Sequence, residues 1–172
     1  MNFKKYMLLS GLILASAFLS QGVSQTDMQV DDSLQFKNLQ GATVELKNYT
    51  GQITIVNLWS TWSASCVKEM PVLERVYQEF YPQNIKIVGI AVFSDAKKIG
   101  PMLHLTKVHY PILIADKKQV KAFGDLSIIP QTFILDVNGK VLQHFIGSQS
   151  FNKLNEVINK LIDSQTLTGN LN

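Results

Sequence analysis

Val56-Asn57-Leu58-Trp59-Ser60-Thr61-Trp62-Ser63-Ala64-Ser65-Cys66-Val67-Lys68-Glu69-Met70-Pro71 passes from an apolar run into a short polar turn and then into a helix-like segment. The run 53–59 is mostly apolar without clean alternation, the pattern of a central strand covered on both faces. From Cys66 to Phe80, Met70, Leu73, Tyr77 and Phe80 recur at helical spacing. Ser63 and Ser65 are both suited to cap that helix. Pro71 is expected to kink it near its first full turn. Cys66, the single cysteine of the chain, falls in its first turn.

The rest of the chain extends this strand-turn-helix pattern. Residues 34–39 and 42–46 around Gln40-Gly41 form a hairpin, followed by a loop at 48–51. Residues 85–93 are a second buried strand. Asp95 caps a helix reaching about Thr106, which Gly100-Pro101 breaks or shifts. A short strand at 110–115 and a short helix at 118–123 come next. Residues 132–136 and 141–146 flank Val137-Asn138-Gly139-Lys140, a hairpin turn. The closing helix, 151–162, turns Leu154, Val157, Ile158, Leu161 and Ile162 inward. The order is a hairpin, then β-α-β-α-β-α-β-β-α, an α/β class with parallel strands and an antiparallel closing hairpin.

Residues 1–24 have the form of a secretory signal: Lys4 and Lys5, an apolar stretch of about 14 residues, then small residues. An uncleaved segment would anchor the chain, the expected membrane contact being through this segment alone. Residues 25–33 are expected to be a flexible lead-in, 34–164 one folded domain, and 165–172 a loose polar tail. The chain has 172 residues, and the part after the signal is long enough for one proper core.

A net charge of +3 with scattered Lys and Arg leaves no nucleic-acid footprint. His104, His109 and His144 lie apart, and one cysteine supports neither a zinc site nor an internal disulfide. No cofactor and no metal are expected. In an oxidising compartment the leftover thiol is either buried or reactive. A helix N-terminus lowers a cysteine pKa and burial raises it, and these effects oppose each other at Cys66. Ser63 has no histidine beside it in sequence to act as a base, so its expected role is helix cap and hydrogen-bond partner of Cys66 rather than nucleophile. Glu69, three residues on, lies on the same helical side as Cys66. It is a proton acceptor for the thiol, a charge that raises the thiol pKa, or a solvated carboxylate. Trp59 and Trp62 are candidates either for an apolar lip or for core packing.

Three blocks in order resemble the thioredoxin superfamily, in particular its TlpA/ResA type of extracytoplasmic thiol-disulfide oxidoreductase. They are Trp62-Ser63-Ala64-Ser65-Cys66 with Lys68-Glu69-Met70-Pro71, Phe36-Lys37-Asn38-Leu39-Gln40-Gly41, and Ile129-Pro130-Gln131-Thr132-Phe133-Ile134-Leu135-Asp136. They are similar, respectively, to W-C-x-x-C followed by K-E-x-P, to F-x-L-x-D-x-x-G, and to P-T-T-F-L-I-D. The resemblance implies a thioredoxin fold, a central mixed sheet flanked by helices, with the N-terminal β-hairpin and one α-β insertion at about 95–115. It places Ser63 where the attacking cysteine stands, so the site is S-x-x-C. It implies that Glu69 assists proton transfer, that Pro130 is cis, and that the backbone of Ile129 meets an extended substrate.

The expected catalytic set is Cys66, Ser63 and Glu69, and the expected substrate-binding set Trp62, Ile129 and Pro130. Expected partners are protein thiols or disulfides of exported proteins, apocytochrome c among them, in the periplasm. Reduced or monothiol redox activity follows from the missing sulfur. Two alternatives stay open. One is a non-catalytic peptide-binding or assembly module. The other is a peroxiredoxin-like peroxidase, for which Trp59 occupies the position of a needed proline and no arginine follows Arg75.

Overall fold

The computed structural model describes residues 28–169, and the expected signal segment lies outside them. Seven strands form one sheet: β1 (Gln35–Asn38), β2 (Thr43–Glu45), β3 (Ile53–Trp59), β4 (Ile85–Ala91), β5 (Ile112–Ile114), β6 (Gln131–Asp136) and β7 (Val141–Ile146), in the spatial order β2-β1-β5-β4-β3-β6-β7. β3, β4 and β5 are parallel, while β6 runs antiparallel to β3 and the β1–β2 hairpin joins through β5. Among the described residues four α-helices cover the sheet: α1 (Ala64–Phe80), α2 (Ala96–Thr106), α3 (Lys117–Lys121) and α4 (Phe151–Gly169). α2 and β5 are the expected insertion.

The mostly apolar run of β3 is explained by burial on both sides, since all seven of its residues are buried. Ile53, Ile55 and Trp59 face α1 and α4, packing with Met70, Leu73, Val76, Leu154 and Ile158. Val56 and Leu58 face the other way, onto Val120, Phe123 and Phe133. Asn57, by the period of two, points to the α1 side. The register then places the site: Leu58 pairs with Gln131, so the residue before β6 lies beside the end of β3, next to the start of α1.

Several expectations move. α1 begins at Ala64, two residues early, because Ser63 is its cap, and it continues through Pro71 as one helix. Pro71 is the eighth residue of α1, where its missing N–H removes a single intrahelical bond. α2 likewise runs unbroken through Pro101 from its Asp95 cap. The loop at 48–51 is partly a 3-10 turn, Leu46–Tyr49. α4 continues to Gly169 instead of ending at 162, since a formed helix gains one backbone bond for each residue it adds. The short strand shrinks to Ile112–Ile114 because the backbone before it is held by α1: Glu74 accepts from His109 N at 2.7 Å and from Tyr110 N at 3.4 Å. Burial alone would raise the Glu74 pKa, but bonds from His109, Gln78 and Tyr110 outweigh it and hold the carboxyl low.

The lead-in is also tied down where it is described. Val30 is buried, its N–H donates to Gly139 O at 2.9 Å, and Val141 N donates to Met28 O at 2.9 Å. An apolar side chain and two main-chain bonds fix a segment whose polar composition suggests mobility. Gly139 makes this possible. Its φ is +81°, and a Cβ there would lie 2.4 Å from Val30 O. Gly139→Ala is therefore expected to destabilise the protein by about 1–3 kcal/mol, read as a lower urea midpoint with unchanged slope. An unchanged midpoint would show that the lead-in is not held against this turn.

Candidate functional site

The site forms where β3 ends, α1 starts and the segment before β6 crosses. Ser63 caps α1, its Oγ accepting from Cys66 N at 3.3 Å. That hydroxyl lies 3.0 Å from Ser65 Oγ, which donates to Ile129 O at 3.4 Å. A single chain of hydroxyls thus links the helix cap to the carbonyl preceding Pro130. The Ile129–Pro130 peptide bond is cis. Pro130 O accepts from Gly147 N at 2.8 Å, and Ser148 Oγ donates to Ser65 O at 3.2 Å, so the β7–α4 connection closes the far side. Ile129 N–H has no hydrogen-bond partner among the described residues.

Cys66 is only 1% exposed, under this cap. Burial pushes its thiol pKa up and the Glu69 carboxylate adds to that, while the Ser63 hydroxyl and the Ser60 backbone oppose. The balance of helix dipole against burial, open in the sequence, falls on the side of a neutral thiol. Glu69 is 2% exposed, not a solvated carboxylate. Asn57 Nδ2 donates to its Oε2 at 3.1 Å and Gln149 N to its Oε1 at 2.6 Å. Burial raises its pKa to about 7 against those two bonds. The side chain therefore exchanges a proton near neutrality beside a thiol that holds its own.

The two tryptophans part company. Trp59 is 0% exposed and belongs to the core, whereas Trp62 is 67% exposed. Trp62 Nε1 donates to Phe93 O at 3.1 Å, which holds the indole at the surface, and Phe93 is itself exposed. Phe93 has φ +50°, a conformation unusual for an aromatic residue. The structure thus brings Cys66, Ser63, Glu69, Ile129 and Pro130 together, with Trp62 on the rim.

Asn57, Gln149 and Ser65 complete the site. Of these, Ser65 reads in the sequence as a cap candidate and Asn57 as a polar residue inside an otherwise apolar strand, whereas Gln149 carries no signal. The chain's arginine, Arg75, stacks over the Phe151 ring at 3.5 Å and takes no part. Among the described residues no group of three or more His, Cys, Asp or Glu is arranged to hold a metal, and no helix is long and apolar enough to cross a membrane.

Comparison with known proteins bears on this arrangement. The AhpC/TSA family matches residues 27–144. The thiol-disulfide oxidoreductase ResA of Bacillus subtilis is 23% identical over 161 residues, covering 94% of this chain and 87% of the relative. ResA of Bacillus thuringiensis subsp. konkukian is 28% identical over 126 residues, covering 72% of each. Among solved structures, a thioredoxin-family thiol:disulfide interchange protein from Chlorobium tepidum superposes with TM-score 0.68 at 22% identity, covering 77% of this chain and 95% of that one. StoA from Bacillus subtilis gives 0.60 at 22% identity, with 72% and 93% covered. The fold is thus the thioredoxin fold. The chain belongs to the AhpC/TSA family, as a relative of thiol-disulfide oxidoreductases that has only the second motif cysteine.

Proposed function

We propose that the protein is an exported, periplasmic thioredoxin-fold protein that docks extended segments of thiol- or disulfide-bearing clients. Client docking carries the function, and redox turnover is reduced to slow monothiol exchange at Cys66. The carrying observation is the contrast within one site: a thiol 1% exposed beneath a docking rim in which Trp62 is 67% exposed and, among the described residues, Ile129 N–H is unpaired. An extended client pairs its backbone with Ile129, beside Pro130, and lays side chains on Trp62. Exported proteins that pass through a cysteine-bearing unfolded state, apocytochrome c among them, are the clients this chemistry suits.

When exchange occurs, the Cys66 thiolate attacks one sulfur of a client disulfide and releases the other as a thiolate. An external thiol then attacks the mixed disulfide, freeing Cys66 and taking over the link to the client. Glu69 takes the proton from Cys66 and returns it, while Ser63 caps the helix and performs no covalent step. The peroxidase reading gains no support from a buried neutral thiol and an arginine stacked elsewhere.

The test is alkylation of the folded protein by iodoacetamide across pH 6–9, read by intact mass, together with equilibrium binding to S-carboxymethylated insulin B chain, an extended polypeptide with blocked thiols. The expected result is binding together with only slow alkylation of the folded protein and no midpoint below about 7.5, Cys66 being labelled rapidly only after unfolding in urea. Labelling of the folded state with a midpoint below about 7.5 would mean an activated thiolate and would overturn the docking-first reading.

A further inference from the structure

The segment that carries Ile129 to the site, residues 125–130, is held from behind by one side chain. Gln131, the first residue of β6, is 1% exposed. Its Nε2 donates to Asp125 O at 2.9 Å and to Ile128 O at 2.8 Å. Both amide hydrogens are thereby used on carbonyls of the segment. Its Oε1 lies 2.8 Å from His144 Nε2. The amide oxygen can only accept, so His144 must carry a proton on Nε2. The opposite amide orientation would set an oxygen against two carbonyl oxygens. The network therefore fixes both the glutamine orientation and the histidine tautomer. The His144 ring is itself held, stacked on Phe133 at 4.0 Å between centroids and 11° between planes.

Three features single this pair out. Every hydrogen-bonding atom of the Gln131 side chain is committed, in a buried place where an unpaired group is costly. Two of its bonds land on the loop that presents Ile129, and one lands on the carbonyl of the residue directly before it. The residue also departs from the P-T-T-F pattern that this block otherwise resembles. A threonine has one hydroxyl hydrogen and a shorter reach, and it cannot hold two loop carbonyls at once.

We propose that Gln131, oriented by His144, is the positioning residue that sets the Ile129 backbone in its docking place. This rests on the docking reading above. Neither side chain touches the client. Gln131 acts through Asp125 O and Ile128 O, and His144 acts through Gln131.

Two substitutions at His144 separate this role from mere packing. His144→Phe keeps a ring over Phe133 but removes the donor to Gln131 Oε1. His144→Gln supplies an N–H donor but removes the ring. Backbone order parameters of residues 126–129 are measured by NMR, affinity by titration with S-carboxymethylated insulin B chain, and stability by urea unfolding. In His144→Phe the order parameters are expected to fall from the rigid range of about 0.85 to below about 0.6. Affinity in this variant is expected to fall about 10-fold. His144→Gln is expected to recover most of both, although it loses the stacked ring and is the less stable of the two. Gln131→Glu, which keeps the acceptor and loses both donated bonds, is expected to match His144→Phe.

Rigid loops and unchanged affinity in a folded His144→Phe would overturn the proposal. So would a folded His144→Gln that fails to recover them, since the ring and not the bond would then be the cause. If Gln131→Glu does not fold, the His144 pair decides alone. If the unsubstituted protein does not bind the B chain, the docking reading fails, and the order parameters still show whether Gln131 positions the loop.

Discussion

Ser63→Cys is expected to raise the rate of disulfide reduction by at least about 100-fold over the natural chain, assayed as insulin precipitation driven by dithiothreitol. Ser63 is the α1 cap, with extended backbone (φ −91°, ψ 111°) and its Oγ 3.3 Å from Cys66 N. A thiol in that place faces the helix N-terminus, where the partial positive charge of unpaired N–H groups favours the thiolate. It supplies the attacking sulfur that the site lacks. Cys66 then becomes the resolving thiol, for which burial is no handicap, because the mixed disulfide is delivered to it within the same molecule. Effective molarities of well-placed intramolecular reactions reach about 10⁵–10⁸ M, so this resolving step needs no external thiol. Intact mass of the oxidised variant checks that the two sulfurs have joined. A variant that forms this bond and yet reduces insulin no faster than the natural chain would show that something other than the missing sulfur limits the site.

Glu69→Gln is expected to abolish most of the loss of stability that the protein suffers between pH 5 and pH 8. The unfolded carboxyl titrates near its ordinary 4.5, the folded one at about 7. Below the unfolded value both states hold the proton and Glu69 contributes no pH dependence. Between the two values the unfolded chain releases its proton while the folded protein keeps it. The unfolded state then binds fewer protons, and stability falls as pH rises. Above the folded value the carboxylate is ionised in both states, and the accumulated cost is roughly 3 kcal/mol, at about 1.4 kcal/mol for each pH unit of displacement. The stability that protonated Glu69 contributes is thus present in acid and lost through neutrality.

Glu69→Gln removes this linkage, because an amide does not titrate in the range. The amide oxygen that the substitution introduces accepts from Gln149 N as the carboxyl does, and Asn57 turns its own amide to face the new NH2. Urea unfolding of both proteins at pH 5 and pH 8 gives the comparison. His144, whose pKa burial holds below the ordinary imidazole value, titrates in both proteins and cancels in the difference. Parallel pH profiles would mean that Glu69 ionises at an ordinary pKa and is not the buried acid described above.

The strand-turn-helix around Cys66, the order of elements and the cis proline at 130 are all legible in the sequence. The first two rest on local periodicity, which a short window of sequence contains. The proline rests on a resemblance that spans most of the chain. The helix starts and ends are less legible. Ser63 and Asp95 read as caps, but α1 and α2 run through Pro71 and Pro101 because the packing of their buried faces outweighs one lost bond each.

Local sequence determined that Cys66 stands alone in the first turn of a helix, with Ser63 as a cap and Glu69 on the same side, and the family resemblance put Ser63 in the place of a partner cysteine. Only the tertiary structure decided what those residues are. Trp59 and Trp62 lie three positions apart in one motif, yet one is wholly inside and the other on the rim. Glu69 is an acid with a pKa of about 7 because Asn57, twelve residues before it, and Gln149, eighty residues after it, close over the carboxyl. Burial and the pKa shifts that follow from it are sums over neighbours that the fold gathers from remote segments. No window along the chain contains those neighbours, so a residue type can be read from the sequence while its ionisation and reach cannot.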